Sequence, residues 1–170
     1  MTDDQPHFRF HPGAYLPRGS FEVSTDVCEV CARPCTWKYT GCVYIAGDDP
    51  LVCARCIADG RLAEAFFQDG HCSLHDINLT GADPALEDEL LHRTPQVSSF
   101  NPYPWPVLDG TPLAFVGYGE DEDLIRLPEV RQAIDEEFKS VGWKFEGPTP
   151  YALIFKELDG ERYRAVLDLD

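Results

Sequence analysis

Two Cys-x-x-Cys pairs, Cys28-Glu-Val-Cys31 and Cys53-Ala-Arg-Cys56, stand 21 residues apart in this chain. Each pair can present two thiolates from one tight turn, and together they supply the four soft ligands that a tetrahedral zinc ion takes. The interval is slightly longer than usual for such pairs, and a short hairpin-like insert accounts for the excess. Both turns must be held side by side, so residues 25–68 are expected to form a zinc-ribbon-like lobe. The cysteine count is seven, an odd number that suits a metal site better than a disulfide framework.

Four protein thiolates leave no coordination position for water. A Zn2+ ion held by Cys28, Cys31, Cys53 and Cys56 is therefore expected to support structure rather than chemistry. Three other readings stay open. Cys53 at a helix start could belong to a redox dithiol, which leaves the second pair unexplained. Cys35 or Cys42 could replace one ligand, or all four could be buried simply as small apolar residues. His71-Cys72-Ser-Leu-His75 places three more potential ligands within five residues, although a polar loop more often carries such residues without a metal.

Charge narrows the partners. Thirty Asp and Glu against fourteen Lys and Arg give a net charge of −16. Such a surface repels phosphate backbones, so nucleic acid is not expected. It attracts basic proteins and speeds their approach, or else serves solubility alone. No apolar run nears the roughly 20 residues needed to span a bilayer. The start, Met1-Thr-Asp-Asp, is unlike a secretory leader, which leads to a cytoplasmic expectation.

Along the chain, residues 1–24 read as an irregular aromatic arm carrying Phe8, Phe10, Tyr15 and Phe21. Trp37–Thr40 and Val43–Ala46 are short strand candidates. Ile57, Leu62, Ala65 and Phe66 suggest one helix ending near Gly70, with Gly60 weakening it. A second helix starts with Asp83-Pro84 and stops before Pro95. Residues 95–112 hold five prolines interleaved with Phe100, Tyr103 and Trp105, which suggests a binding loop or a packed crossing. Leu113–Gly117 reads as a buried strand. A third helix opens at Pro128 and carries the stripe Val130, Ala133, Ile134, Phe138 and Val141 as far as Gly142. Tyr151–Leu158 and Arg162–Leu169 flank an Asp159-Gly160 turn as a closing hairpin.

No nucleophile elbow, phosphate loop, zinc-protease helix or dinucleotide fingerprint occurs. Asp168 and Asp170 could form an acidic dyad, but at alternating strand positions they read as surface. The sequence thus leans away from an enzyme.

The order of features resembles the CbrC family of small bacterial proteins linked by name to colicin tolerance. The resemblance rests on Phe10-His-Pro12, Gly19-Ser-Phe21, Cys28-x-x-Cys31, Tyr39-Thr-Gly41, Leu51-Val-Cys-Ala-Arg-Cys-Ile-Ala-Asp-Gly60, Arg93-Thr-Pro95 and Ala114-Phe-Val-Gly117. Two further cysteine-histidine stretches of that family are replaced here by Leu108–Leu113 and Glu157–Gly160. Any activity dependent on them is not expected. The resemblance implies bacteriocin tolerance or toxin immunity.

The expected fold is α+β, a single domain over residues 1–170. It would have a zinc-ribbon-like N-terminal lobe, two or three helices and a small, largely antiparallel sheet, with residues 83–170 forming the helix and sheet remainder. The expected function is non-catalytic binding of a basic protein, a toxin being the concrete candidate. The expected contact residues are Asp121 and Asp123 on the acidic run and Tyr103 and Trp105 on the aromatic-proline loop. The alternative is an enzyme whose site lies between that loop and the sheet.

Overall fold

A computed structural model of the chain describes residues 5–66, 72–77 and 79–169. The chain divides into two compact units, Met1–Asp76 with Pro84–Ser98, and Ile77–Asp83 with Ser99–Asp170. Mixed helices and small antiparallel sheets make the fold α+β, with five helices among the described residues.

In the first unit, β1 (Phe21–Val23) pairs antiparallel with β2 (Trp37–Tyr39), Phe21 opposite Tyr39. The far edge of β2 takes the second cysteine turn: Tyr39 N donates to Val52 O, and Lys38 bridges to Cys53. Helix α1 (Ala54–Ala58) follows, then α2 (Arg61–Phe66). The one helix expected here is split because Gly60 adopts φ +76°, a left-handed conformation that ends α1 and redirects the chain. Ile57 and Leu62 nevertheless reach the same core. Gly70, the expected terminator, lies outside the described residues. The Val43–Ala46 strand is also absent: Tyr44 makes only an isolated bridge to Ser73.

Helix α3 (Pro84–Arg93) has Pro in its first turn, Glu87 early and His92 and Arg93 late, as the helix dipole favours. It packs with the first unit through fully buried Leu90, a two-pronged Arg9–Glu89 pair, and Leu74 N donating to Leu91 O. From Gln5 onward the aromatic arm is nearly all irregular backbone laid on this core. Tyr15 stacks on Phe21 with ring centroids 4.9 Å apart and meets Trp37 edge-on at 5.0 Å.

The second unit opens with a hairpin of β3 (Val107–Leu108) and β4 (Thr111–Pro112). Asp109 and Gly110 turn it at φ +51° and +81°, the positive pair a tight two-residue hairpin turn requires. Strand β5 (Ala114–Tyr118), β6 (Ala152–Lys156) and β7 (Tyr163–Leu167) form an antiparallel sheet in the order β5-β6-β7. Between β5 and β6 come α4 (Glu122–Ile125) and α5 (Pro128–Ser140). Helix α5 buries Val130, Ala133, Ile134 and Phe138 against Ala152, Ile154 and Ala165. Val141 falls off the stripe at 46% exposure, because the helix ends there and Gly142 turns away at φ +78°.

Asp168 is buried, and its carboxylate accepts from Phe100 N at 2.6 Å and Asn101 N at 2.9 Å. It fastens the aromatic-proline connection to the closing hairpin, so it is not a surface residue. Asp168→Ala is expected to lower stability by about 2 kcal/mol, the typical worth of hydrogen bonds to a charged group. Urea unfolding checks this; an unchanged midpoint would show that the clamp contributes nothing. Among the described residues no helix is long and apolar enough to cross a membrane.

Candidate metal centre

The first cysteine turn closes on itself. Ala32 N donates to Cys28 O and Cys28 N to Arg33 O, each at 2.8 Å, with Ala32 in a left-handed conformation at φ +53°. The second turn is the start of α1: Cys53 is its N-cap, and its carbonyl accepts from Cys56 N at 3.0 Å. Glu29 N donates to Leu51 O, which ties one turn to the strand leading into the other.

These two turns bring Cys28, Cys31, Cys53 and Cys56 together with all four sulfurs within 4.8 Å of one another. Cys28 Sγ lies 3.8 Å from Cys56 Sγ, and Cys31 Sγ lies 3.9 Å from Cys53 Sγ. A tetrahedron with metal–sulfur bonds of about 2.3 Å has edges of about 3.8 Å, so the cluster has the dimensions of a four-thiolate metal site. All the cysteines are free thiols, and among the described residues this is the one group of three or more ligating side chains.

Burial pushes Cys53 and Cys56 up in pKa, and neighbouring thiols press Cys56 further in the same direction. Cys31 goes the other way, to about 6: burial raises it, but hydrogen bonds from the Arg33 side chain and backbone, then from Cys56 and Cys28, outweigh that. A metal ion entering this cluster therefore displaces protons from at least the raised pair, and binding strengthens with pH.

Cys35 is fully buried beside the four, its thiol pushed up to about 12 by burial and then by the charges of Cys28, Cys53 and Cys31. It is a protonated neighbour rather than a ligand. Cys42 is exposed and outside the cluster. The second metal site weighed for His71, Cys72 and His75 does not form from its described members. His75 Nε2 faces Thr94 O at 2.9 Å, Cys72 is buried, and His71 lies outside the described residues. His11 does the same next door, its Nδ1 facing Pro95 O at 3.1 Å. Burial lowers both histidines, His11 to about 4 and His75 to about 3.

The expected partner residues separate. Asp121 caps α4, accepting from Asp123 N and Leu124 N, while Asp123 is exposed and pairs with Arg126 at 2.9 Å. Tyr103 and Trp105 are corrected: at 6% and 2% exposure they are core residues. Trp105 packs edge-on against Phe155 at 5.0 Å, and its Nε1 donates to Leu113 O at 2.8 Å. Both rings pack on Phe155 of β6, so of the two readings of this stretch it is the packed crossing that forms. Two residues near the centre were missed, Arg33 and Arg55. Their signal is a repeat, since Cys31-Ala-Arg33 and Cys53-Ala-Arg55 are the same tripeptide.

Residues 5–150 match the uncharacterised protein family UPF0167. The chain belongs to that family. The UPF0167 protein PA1536 of Pseudomonas aeruginosa is 31% identical over 148 residues, which span 84% of this chain and 79% of the relative. The UPF0167 proteins Mb2317 of Mycobacterium bovis and MT2352 of Mycobacterium tuberculosis are each 28% identical over 142 residues, 81% of this chain and 73% of theirs. No solved structure matches. The resemblance to the CbrC family is thereby corrected: the family and its relatives carry the UPF0167 name. The tolerance and immunity reading had no other support and falls with it.

Proposed function

We propose that this UPF0167 protein is a zinc-stabilised, non-catalytic interaction protein whose partner is a basic protein. The observation that carries the reading is the closed sulfur tetrahedron. Four thiolates complete the coordination of a zinc ion and leave no place for substrate or reactive water, which suits a scaffold. Zinc is favoured within the thiolate-binding metals because it is redox-inert and imposes no geometry of its own. Elemental analysis should find about one zinc per chain; iron in its place would overturn the assignment of the ion.

The partner half of the reading rests on the charge of −16 and on exposed carboxylates in α4. The side chains of Glu122 and Asp123 are 79% and 89% exposed. Asp121 contributes charge while its carboxylate holds the helix start. The partner recovered by in-cell cross-linking should associate fast at low salt. Its association rate should drop steeply as ionic strength rises past about 0.15 M, where screening shortens the reach to about 8 Å. Glu122→Lys with Asp123→Lys should slow association more than it speeds dissociation. Rates indifferent to both salt and charge reversal would overturn the electrostatic reading.

A further inference from the structure

The metal centre is not sealed evenly. Cys28 and Cys56 are fully buried, whereas Cys53 is 8% exposed and Cys31 is half-buried. Cys31 and Cys53 line a cavity of about 80 Å³ whose walls also carry Arg33, Thr36, Trp37 and Arg55. Their sulfurs, 3.9 Å apart, thus form an edge of the tetrahedron that opens onto this cavity. The repeated Cys-Ala-Arg tripeptide brings one guanidinium-bearing residue to the cavity from each cysteine turn. Arg33 lines the cavity beside Cys31, whose sulfur belongs to that edge.

Two arginines on one small cavity stand out in a chain with fourteen cations and thirty anions. Guanidinium groups recognise carboxylates through paired, planar hydrogen bonds. The cavity has room for a group of that size. We propose that it binds small carboxylate-bearing molecules and presents electrophilic ones to Cys31 Sγ, which makes Cys31 a site of covalent modification. The inference deepens the metal reading, because the sulfur an electrophile meets is a metal-held thiolate. In the step, Sγ attacks the carbon that bears the leaving group. The S–C bond forms, the bond to the leaving group breaks, and a halide departs with its electron pair. No proton moves, since the sulfur is already a thiolate, and the carboxylate stays with the arginines.

Arg33 and Arg55 would also offset the two excess negative charges of a divalent ion in four thiolates. That role alone gives no preference between anionic and neutral reagents, which is what the test reads. Protein as purified is treated with iodoacetate or with iodoacetamide, and labelled cysteines are located by peptide mass spectrometry. Exposed Cys42 is the reference thiol in the same chain. The preference for the anionic reagent should be about tenfold higher at Cys31 than at Cys42, within the range over which charged clefts concentrate counter-ions. Arg33→Gln and Arg55→Gln should each erode it, while Arg33→Lys should retain most of it. Equal preference at the two thiols, or consumption of Cys42 with Cys31 unlabelled, would overturn the proposal. Metal content is read on the same samples. Metal-free protein counts against the centre, and equal preference in metal-loaded protein counts against the anion site.

Discussion

Cys56→Ser protein should retain no tightly bound metal and should lose the cooperative unfolding of the first unit. The sulfur of Cys56 is fully buried, and its N–H closes the first turn of α1 on Cys53 O, so a weaker oxygen ligand there has no route to compensation by solvent. Structural zinc sites contribute about 10 kcal/mol or more of apparent binding free energy, comparable to the whole stability of an ordinary domain at about 5–15 kcal/mol. The core around the centre, with Val52, Ile57, Leu62 and Leu74, hangs on the same two turns. Excess chelator should have the same effect on the natural sequence, and added zinc should reverse it. Circular dichroism with metal analysis checks both. A metal-free variant that unfolds at the natural midpoint would show that the four cysteines only pack.

Acid should weaken the first unit through two histidines that touch no metal. His11 and His75 are buried and neutral, at about 4 and about 3, against 6.5 for the exposed side chain. Both values are depressed, so below pH 6.5 the unfolded chain binds protons that the folded chain refuses. Stability attributable to these groups is fully present above that point and is lost as pH falls from 6.5 toward 3. At pH 5 the loss is about 2 kcal/mol for each residue, about 4 kcal/mol together. Metal release adds a separate acid dependence. The variant His11→Asn with His75→Gln keeps a hydrogen-bond donor toward Pro95 and Thr94 but cannot titrate. Its unfolding free energy should fall less between pH 7.5 and pH 5, by that same amount. Identical slopes in the two proteins would refute the histidine account.

Features with a local cause were legible. Four cysteines at knuckle spacing identify themselves, because ligation needs a residue type and a tight turn and little else. The α5 stripe was equally plain, since helical spacing repeats within thirteen residues and Gly142 closes it. Tyr103 and Trp105 show where that logic stops. Prolines and aromatics in a run look alike whether the rings meet a partner or a strand, and the covering residue here, Phe155, lies about fifty positions away. The Asp109-Gly110 turn was readable in principle but was masked by the prolines around it. Gly60 was noticed as a weakness in a helix, whereas its left-handed conformation makes it a divider between two. Arg33 and Arg55 escaped because the roles of cations beside a thiolate cluster follow from distance, which spacing alone does not supply.

The first unit is interrupted in the sequence: it takes Met1–Asp76, cedes Ile77–Asp83, and resumes with Pro84–Ser98. During translation this order has a timing consequence. All four sulfur ligands have been polymerised by Cys56, but Thr94 and Pro95, which receive His75 and His11, are made some forty residues later. At roughly 5–20 residues per second the gap lasts about 2 to 8 s. A nascent chain emerging from the ribosome can thus capture its ion before the segment that completes its core has itself emerged. The order also rules out a clean cut: a fragment ending at Asp76 would keep every ligand yet lack Leu90, Val97 and both histidine acceptors. A fragment meant to carry the whole metal-bearing unit must therefore run through Ser98.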